Sequence, residues 1–127
     1  ISVNELTAIG RDEWPAITQI VFRNYQWGAE KRNSTLWFDD NFVGTELDMK
    51  VSYAGIANAC GLKGVQAKTM DELTAALNQA IKDQMENNVT TLIEVILNQE
   101  LGDPFRRDAM KKPVEVAGIS ASDMAAE

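Results

Sequence analysis

The chain has 127 residues, of which 45% are hydrophobic and 24% charged, so it is long enough for one domain with a hydrophobic core. Its 12 basic and 19 acidic side chains give a net charge of −7, which disfavours nucleic acid as a partner because phosphate binding needs a basic surface. No apolar run reaches the roughly 18–20 residues that span a bilayer. The first residues also lack a secretory signal, so we expect a cytoplasmic protein without a membrane partner.

The chain contains no histidine and a single cysteine, Cys60. Without histidine, these 127 residues cannot form a Ser-His-Asp triad, a Cys-His nucleophile pair or most zinc sites. A lone cysteine cannot form an internal disulfide, and Cys60 lies in the small-residue pattern AGIANACG. We therefore interpret it as a buried structural thiol.

The chain begins with a predicted short helix. Ser2–Glu5 has the S/T-x-x-E form of a capping box, and the apolar residues Leu6 and Ile9 follow at helical spacing before Gly10. A capped helix that starts almost at the first residue is unusual for a natural domain. We therefore expect the chain to begin inside a larger domain.

The run Ile17–Arg23 is rich in β-branched and apolar residues and is too short for a surface helix. This pattern predicts a buried strand that is covered on both faces, as in a parallel sheet. Polar residues follow directly, beginning with Asn24. Because ligands of open α/β sheets bind beyond the carboxyl ends of the strands, the sequence predicts a site near Asn24.

The segment from Tyr25 to Phe42 mixes aromatic and charged residues. Gly28, the pair Asn33-Ser34 and the run Asp39–Asn41 are expected to interrupt any helix in this segment. Its aromatic side chains fit either a loop that folds over another part of the structure or a partner, or the packing of a core against the sheet, and the core interpretation is favoured.

The second half of the chain predicts further alternating elements. Ser52–Ala59 is typical of an amphipathic helix, and Val65–Ala67 of a short strand. Thr69–Glu72 forms a second capping box, which opens a long helix, and Thr90–Leu97 predicts another strand. This alternation indicates an α/β fold with a mostly parallel sheet and helices on both faces, in a three-layer α/β/α arrangement.

The long helix after the second capping box has a predicted inner and outer face. The residues expected to face the core are Leu73, Leu77, Ala80, Ile81 and Met85. The residues expected to face water are Lys82, Asp83 and Glu86.

Candidate chemical residues are few. The compact basic clusters are Lys31-Arg32 and Arg106-Arg107, and arginine forks suit phosphate or sulfonate oxygens. Glu30, beside a glycine-containing turn, is a candidate catalytic acid. The residues alone leave the site near Asn24 without an assigned reaction.

The string VFRNYQWGAEK resembles the thiamine-diphosphate-dependent enzyme family. Within that family, QWGAEKRN together with ELGDPFRRDAMKKPVE resembles the sulfoacetaldehyde acetyltransferases. The first string resembles the second half of the family's cofactor motif, in which a strand ends in Asn-Asn, although Arg23 occupies the first of these positions here. The resemblance implies that residues 1–116 are the C-terminal part of a diphosphate-side thiamine-diphosphate-binding domain. Residues 117–127 would then be a loosely ordered tail.

The resemblance also implies site residues and cofactors. A Mg²⁺ ion would be bound by the side-chain oxygen of Asn24 and the backbone carbonyl of Gln26. Its third protein ligand would come from a Gly-Asp-Gly motif that lies upstream in the family and is absent from this chain. The residues implied for thiamine diphosphate are Trp27, Gly28 and Ala29. Glu30 would lie near the reactive carbon of the cofactor, and Arg106 and Arg107 would bind a sulfonate or phosphate.

The reaction implied by the resemblance converts sulfoacetaldehyde and phosphate to acetyl phosphate and sulfite. The enzyme would be a homo-oligomer with further N-terminal domains, and the chain by itself is expected to be inactive. One alternative is a related 2-oxo-acid decarboxylase or acetolactate synthase. A second alternative is a non-catalytic association module, in which an exposed sheet edge pairs with another chain.

Overall fold

The computed structural model describes residues 3–100, in which helices and strands alternate along the chain. The elements are α1 (Val3–Ile9), β1 (Thr18–Arg23), α2 (Gly28–Trp37), α3 (Tyr53–Ala59), β2 (Lys63–Ala67), α4 (Met70–Asn87) and β3 (Thr91–Ile96). The predicted α/β alternation is therefore confirmed for this part of the chain. The predicted boundary at residue 116, the tail 117–127 and the pair Arg106-Arg107 lie outside the described residues.

The strands of the described region form one parallel sheet in the order β1-β3-β2. Val21 of β1 and Gln66 of β2 both lie beside Glu94 of the central strand. Because all three strands run in the same direction, their carboxyl ends meet at one edge of the sheet. This edge is where the site was predicted from the position of Asn24.

Helices pack on both faces of the sheet. On one face, Ala80 of α4 packs with Ile93 of β3. On the other face, Ala57 of α3 and the half-buried Leu6 of α1 pack with Leu92. Since Leu92 and Ile93 are successive residues of one strand, their side chains point to opposite faces. The predicted three-layer α/β/α arrangement is confirmed.

The two long apolar strands differ in burial. All residues of β3 except Ile96 are buried, whereas Ile20 and Phe22 of β1 are 41% and 68% exposed. The prediction that β1 is covered on both faces is therefore wrong for the described region. The physical reason is the placement of α4: Ile20 and Phe22 lie on the same face as Ile93 and Val95, but the apolar cluster under α4 joins β3 and β2 and does not include β1.

The capping box predicted at the start of α4 is confirmed, but some residues of α4 lie on a different face from the one predicted. The Thr69 hydroxyl accepts a hydrogen bond from the Glu72 amide at 3.2 Å, and the Glu72 carboxylate accepts one from the Lys68 amide at 2.7 Å. Ile81 and Met85, predicted to face the core, are exposed. Asp83, predicted to face water, is buried, and an ion pair with Lys63 of β2 compensates its charge.

The segment after β1 is more helical than predicted. Helix α2 begins at Gly28 and continues through Asn33 and Ser34, which were expected to interrupt it. The Ser34 hydroxyl bonds back to the Glu30 carbonyl at 3.1 Å, so its polar group is satisfied within the helix. The favoured core interpretation of the aromatic residues is also wrong, because four of them are exposed: Trp27, Trp37, Phe38 and Phe42.

Helix α3 lies close to β2, and a glycine makes this approach possible. A Cβ atom at Gly64 would lie 2.0 Å from the carbonyl oxygen of Ala54. The helix ends at Cys60, which is half-buried against the apolar cluster around Leu92. The predicted structural role of this cysteine agrees with its packing, although the residue is less buried than expected. Within residues 3–100, no helix is both long enough and apolar enough to cross a membrane.

Candidate functional site at the carboxyl end of strand β1

A tight turn follows β1. Asn24 is the first residue after the strand, and its side-chain oxygen accepts a hydrogen bond from the backbone amide of Gln26 at 3.3 Å. Tyr25, between them, has a φ of 59°, in the left-handed region that non-glycine residues seldom occupy. Such a conformation is found mainly in turns and functional sites, where the surrounding structure holds it.

The turn is held by the segment Thr45–Leu47. The amide of Trp27 donates to the carbonyl of Thr45 at 2.8 Å, and the amide of Leu47 donates to the carbonyl of Tyr25 at 2.9 Å. These two bonds flank an antiparallel bridge between Gln26 and Glu46. In such a pair, the amide and carbonyl of the central residue point away from the partner segment. The backbone carbonyl of Gln26 is therefore not used by the bridge.

The Gln26 side chain is buried and joins the turn to the segment after β3. Its amide nitrogen donates to the carbonyl of Gln99 at 2.8 Å. Its side-chain oxygen is also buried, and it has no hydrogen-bond partner within residues 3–100. The turn thus contains a buried acceptor oxygen that the described residues leave unsatisfied.

The residues predicted to lie along a cofactor form the start of α2. Trp27 occupies the N-cap position and is exposed, and Gly28 and Ala29 are the first helical residues. Glu30 is exposed in the first helical turn, where a negative charge interacts favourably with the helix dipole. These four residues follow Asn24 and Gln26 directly, so the structure brings this part of the predicted site together.

The basic cluster on α2 does not offer a free lysine. Lys31 forms an ion pair with Glu46 and lies 5.1 Å from the ring centre of Phe42. The hydrogen bond from Lys31, followed by that from Gln99, lowers the pKa of Glu46. The Lys31 charge is therefore already balanced, which weakens its interpretation as an anion-binding residue.

A buried ion pair behind the turn was not predicted from the sequence. The guanidinium of Arg23, the last residue of β1, donates to the carboxylate of Glu94 at 2.6 Å, and both side chains are at most 5% exposed. Glu94 also accepts hydrogen bonds from the Ala54 amide at 3.0 Å, Gln66 at 2.9 Å and Ser52 at 3.1 Å. A glutamate inside the apolar run TTLIEVIL was the available signal, because a buried charge needs a partner.

The ionisation of Glu94 is determined by opposing effects. Burial disfavours the charged form, but the hydrogen bonds from Gln66, the Ala54 amide and Arg23 outweigh it and lower the pKa of Glu94 to about 2. Glu94 is therefore a carboxylate at neutral pH. Elsewhere in residues 3–100, no cluster of three or more acidic, cysteine or histidine side chains is arranged to hold a metal ion.

Comparisons with known proteins agree with this fold. The family model described as "Thiamine pyrophosphate enzyme, C-terminal TPP binding domain" matches residues 1–95. The sulfoacetaldehyde acetyltransferase of Roseovarius nubinhibens is 80% identical over 124 residues, which cover 98% of this chain and 20% of that protein. The proteins of the same name from Rhodobacter capsulatus and Castellaniella defragrans are 74% and 44% identical, over 98% and 91% of this chain and 21% and 19% of their own lengths.

The chain belongs to the family of thiamine pyrophosphate enzymes, within their C-terminal TPP-binding domain. Thiamine pyrophosphate is the same compound as thiamine diphosphate, so the resemblance noted in the sequence is confirmed at the level of the family. The chain spans about a fifth of the length of the curated relatives it matches.

Proposed function

We propose that this chain forms part of the diphosphate-side site of a thiamine-diphosphate-dependent acetyltransferase, which converts sulfoacetaldehyde and phosphate to acetyl phosphate and sulfite. The relatives named sulfoacetaldehyde acetyltransferase support this reaction, since identities of 80% and 74% extend over 98% of the chain. The observation that carries the site is the turn after β1, where Asn24 and Gln26 stand at the carboxyl edge of a parallel sheet.

The oxygen atoms of this turn suit a Mg²⁺ ion. Mg²⁺ prefers oxygen ligands, takes few of them from protein and is commonly shared with phosphate groups. The Asn24 side-chain oxygen has two lone pairs, of which the Gln26 amide uses one. The backbone carbonyl of Gln26 is outside the bridge with Glu46, and the buried side-chain oxygen of Gln26 adds a further unsatisfied acceptor. We therefore assign Asn24 and Gln26 as magnesium ligands, with further ligands from outside the chain.

The start of α2 is proposed to lie along the cofactor. The small residues Gly28 and Ala29 permit a close approach, and Trp27 offers an exposed ring beside them. The thiazolium ring of bound thiamine diphosphate supplies an electron sink for bond cleavage next to a carbonyl. The Glu30 carboxylate is proposed to accept and return a proton at the reacting centre, because it is exposed one turn from the ligands.

Two further parts of the proposal concern groups outside the described residues. Arg106 and Arg107 are proposed to bind the sulfonate or the phosphate, which the pairing of guanidinium groups with oxyanions supports. Other domains of the same enzyme are proposed to cover the apolar residues Ile20 and Phe22, which β1 leaves exposed. Homo-oligomer formation and a cytoplasmic location stay predictions from the sequence.

The test is a sulfite-release assay on the intact protein with Mg²⁺, thiamine diphosphate, sulfoacetaldehyde and phosphate. We expect sulfite and acetyl phosphate in equal amounts, and their loss when a chelator removes the metal. Asn24→Ala should lower kcat/KM at least about 100-fold, which corresponds to about 2.7 kcal/mol of transition-state stabilisation.

The matched control is Asn88→Ala, which removes an amide side chain at the opposite end of the sheet and should leave kcat/KM unchanged. Release of carbon dioxide from a 2-oxo acid without sulfite would assign the protein to the alternative enzyme class. Sulfite release that Asn24→Ala leaves intact would remove Asn24 from the metal site.

A further inference from the structure

We propose that the Arg23–Glu94 ion pair is a positioning device for the magnesium-binding turn, which holds the backbone around Asn24 and Gln26 without contacting the metal or the cofactor. This inference rests on the proposed function, because it concerns the same turn. It assigns to Arg23 a role that its position in the sequence, next to a ligand, does not reveal.

Arg23 connects the turn by hydrogen bonds to two separate parts of the domain. One terminal nitrogen of its guanidinium bonds to Glu94 on the central strand at 2.6 Å. The other terminal nitrogen bonds to the carbonyls of Asp48 and Met49 at 3.1 and 3.3 Å. Since residues 45–47 pair with the turn and residues 48–49 bond to Arg23, one side chain restrains both segments of the site.

The guanidinium also contacts the residue that bends the turn. It lies 4.3 Å from the ring centre of Tyr25 and 5.4 Å from that of Tyr53, within the range of cation–π contacts. Tyr25 has the left-handed backbone conformation that reverses the chain between Asn24 and Gln26. A non-glycine residue keeps such a conformation only where its surroundings hold it, and the stacked guanidinium is part of those surroundings.

Arg23 itself is not available to a ligand. The residue is 6% exposed, and both terminal nitrogens already donate hydrogen bonds inside the protein. Glu94 is fully buried and is held by Ser52, the Ala54 amide and Gln66 as well as by Arg23. The pair therefore acts on the reaction only through the geometry of the neighbouring turn.

Stability alone does not explain a buried ion pair. The desolvation of two charges offsets most of their attraction, so apolar residues of similar volume often stabilise a fold equally well. What the Arg23 guanidinium supplies, and an apolar side chain does not, is a fixed direction for the carboxylate of Glu94 and for two backbone carbonyls at once. A metal site benefits from such fixed directions, because its ligands must be held close to their bonding geometry.

The experiment measures the Mg²⁺ concentration for half-maximal binding of thiamine diphosphate to the intact protein, by calorimetry, together with the unfolding temperature. Arg23→Lys keeps a positive charge beside Glu94 but loses the second terminal nitrogen, which bonds to the carbonyls of Asp48 and Met49. The double variant R23M/E94Q removes both charges, while the carboxamide oxygen introduced at position 94 can still accept from the Ala54 amide. We expect both variants to fold. The Mg²⁺ concentration for half-maximal binding of thiamine diphosphate should rise at least about tenfold, and most of kcat should be recovered at saturating Mg²⁺.

The control is Lys63→Met, which breaks the ion pair with Asp83 at the start of β2, at the far end of the sheet. It should leave the Mg²⁺ requirement unchanged. Wild-type Mg²⁺ binding in the folded Arg23 variants would overturn the inference. Loss of the fold in both variants would also overturn it, because the pair would then act on stability. Failure of the unmodified protein to bind thiamine diphosphate with Mg²⁺ would instead refute the proposed function itself.

Discussion

The two ends of the sheet are both held by polar side chains, but in different ways. At the carboxyl end, the buried pair of Arg23 and Glu94 restrains a turn with a left-handed tyrosine. At the amino end, Asn88 accepts a hydrogen bond from the Ala16 amide at 3.1 Å, and Lys63, whose side chain is 41% exposed, pairs with Asp83. Both charges of the pair are buried at the carboxyl end, whereas at the amino end the lysine remains in contact with water.

This difference indicates a division of roles between the two ends. Contacts at the amino end satisfy backbone groups where chain segments enter the sheet, which is a structural need of any domain. Within the described residues, left-handed residues and buried oxygens without a partner occur at both ends, with Asn88 and Thr91 at the amino end. At the carboxyl end, however, the left-handed residue is a tyrosine, which tolerates this conformation less well than asparagine, and it lies directly beside the unsatisfied oxygen of Gln26. Such features are retained where a site needs a particular geometry, so function is expected at the carboxyl end and stability at both.

The largest expected effect is that of Glu94→Ala at the carboxyl end. It leaves the Arg23 charge buried without its carboxylate, so the free energy of unfolding should fall by about 3–5 kcal/mol. Urea unfolding of the intact protein measures this. A loss below about 1 kcal/mol would mean that Arg23 reaches water easily, and the contrast between the two ends would disappear.

The next effect is a pH dependence from the same carboxylate. The pKa of Glu94 is lowered from 4.5 to about 2, so its ionised form stabilises the fold fully above about pH 4.5. This contribution, on the order of 3 kcal/mol, is lost as the pH falls towards 2. The difference in unfolding free energy between the wild type and Glu94→Gln should therefore shrink below pH 4.5. A constant difference down to pH 3 would contradict the direction of the shift.

At the amino end, Asn88→Ala should lower the free energy of unfolding by about 1–2 kcal/mol, because it loses the bond to Ala16 and places alanine in a left-handed conformation. Asn88→Gly tolerates that conformation and loses only the side chain, so it should cost less. Thermal unfolding of both variants separates the two contributions. An altered Mg²⁺ requirement in either variant would argue against the division of roles.

The smallest effect is expected from Lys63→Met. The lysine of this ion pair is 41% exposed, so solvent screens its attraction to Asp83 and reduces the contribution of the pair. Lys63→Met should lower the unfolding temperature by less than Asn88→Ala does, in low salt as in high salt. A larger loss would show that burial of Asp83 matters more than the exposure of its partner.

Much of the fold was predictable from local patterns. The capping box at Thr69 and the apolar run after Thr90 predicted α4 and β3, because capping and β-branched residues act over a few neighbouring positions. The position of Asn24 was predicted for a similar reason, since it directly follows a strand. Glu30 and the residues beside it stay predictions as catalytic and cofactor-binding groups.

What the sequence by itself determined is the order of helices and strands apart from α2, the parallel sheet and the strand end that carries Asn24. The tertiary structure decided which residues are buried. Asp83 and Glu94 can be buried because partners 20 and 71 residues away supply the opposite charge. Ile20 and Phe22 are exposed because α4 packs over β3 and β2 and leaves this face of β1 uncovered within the described residues. The reason is physical: the periodicity of a segment depends on its own residues, whereas the environment of a side chain depends on what the rest of the chain brings against it.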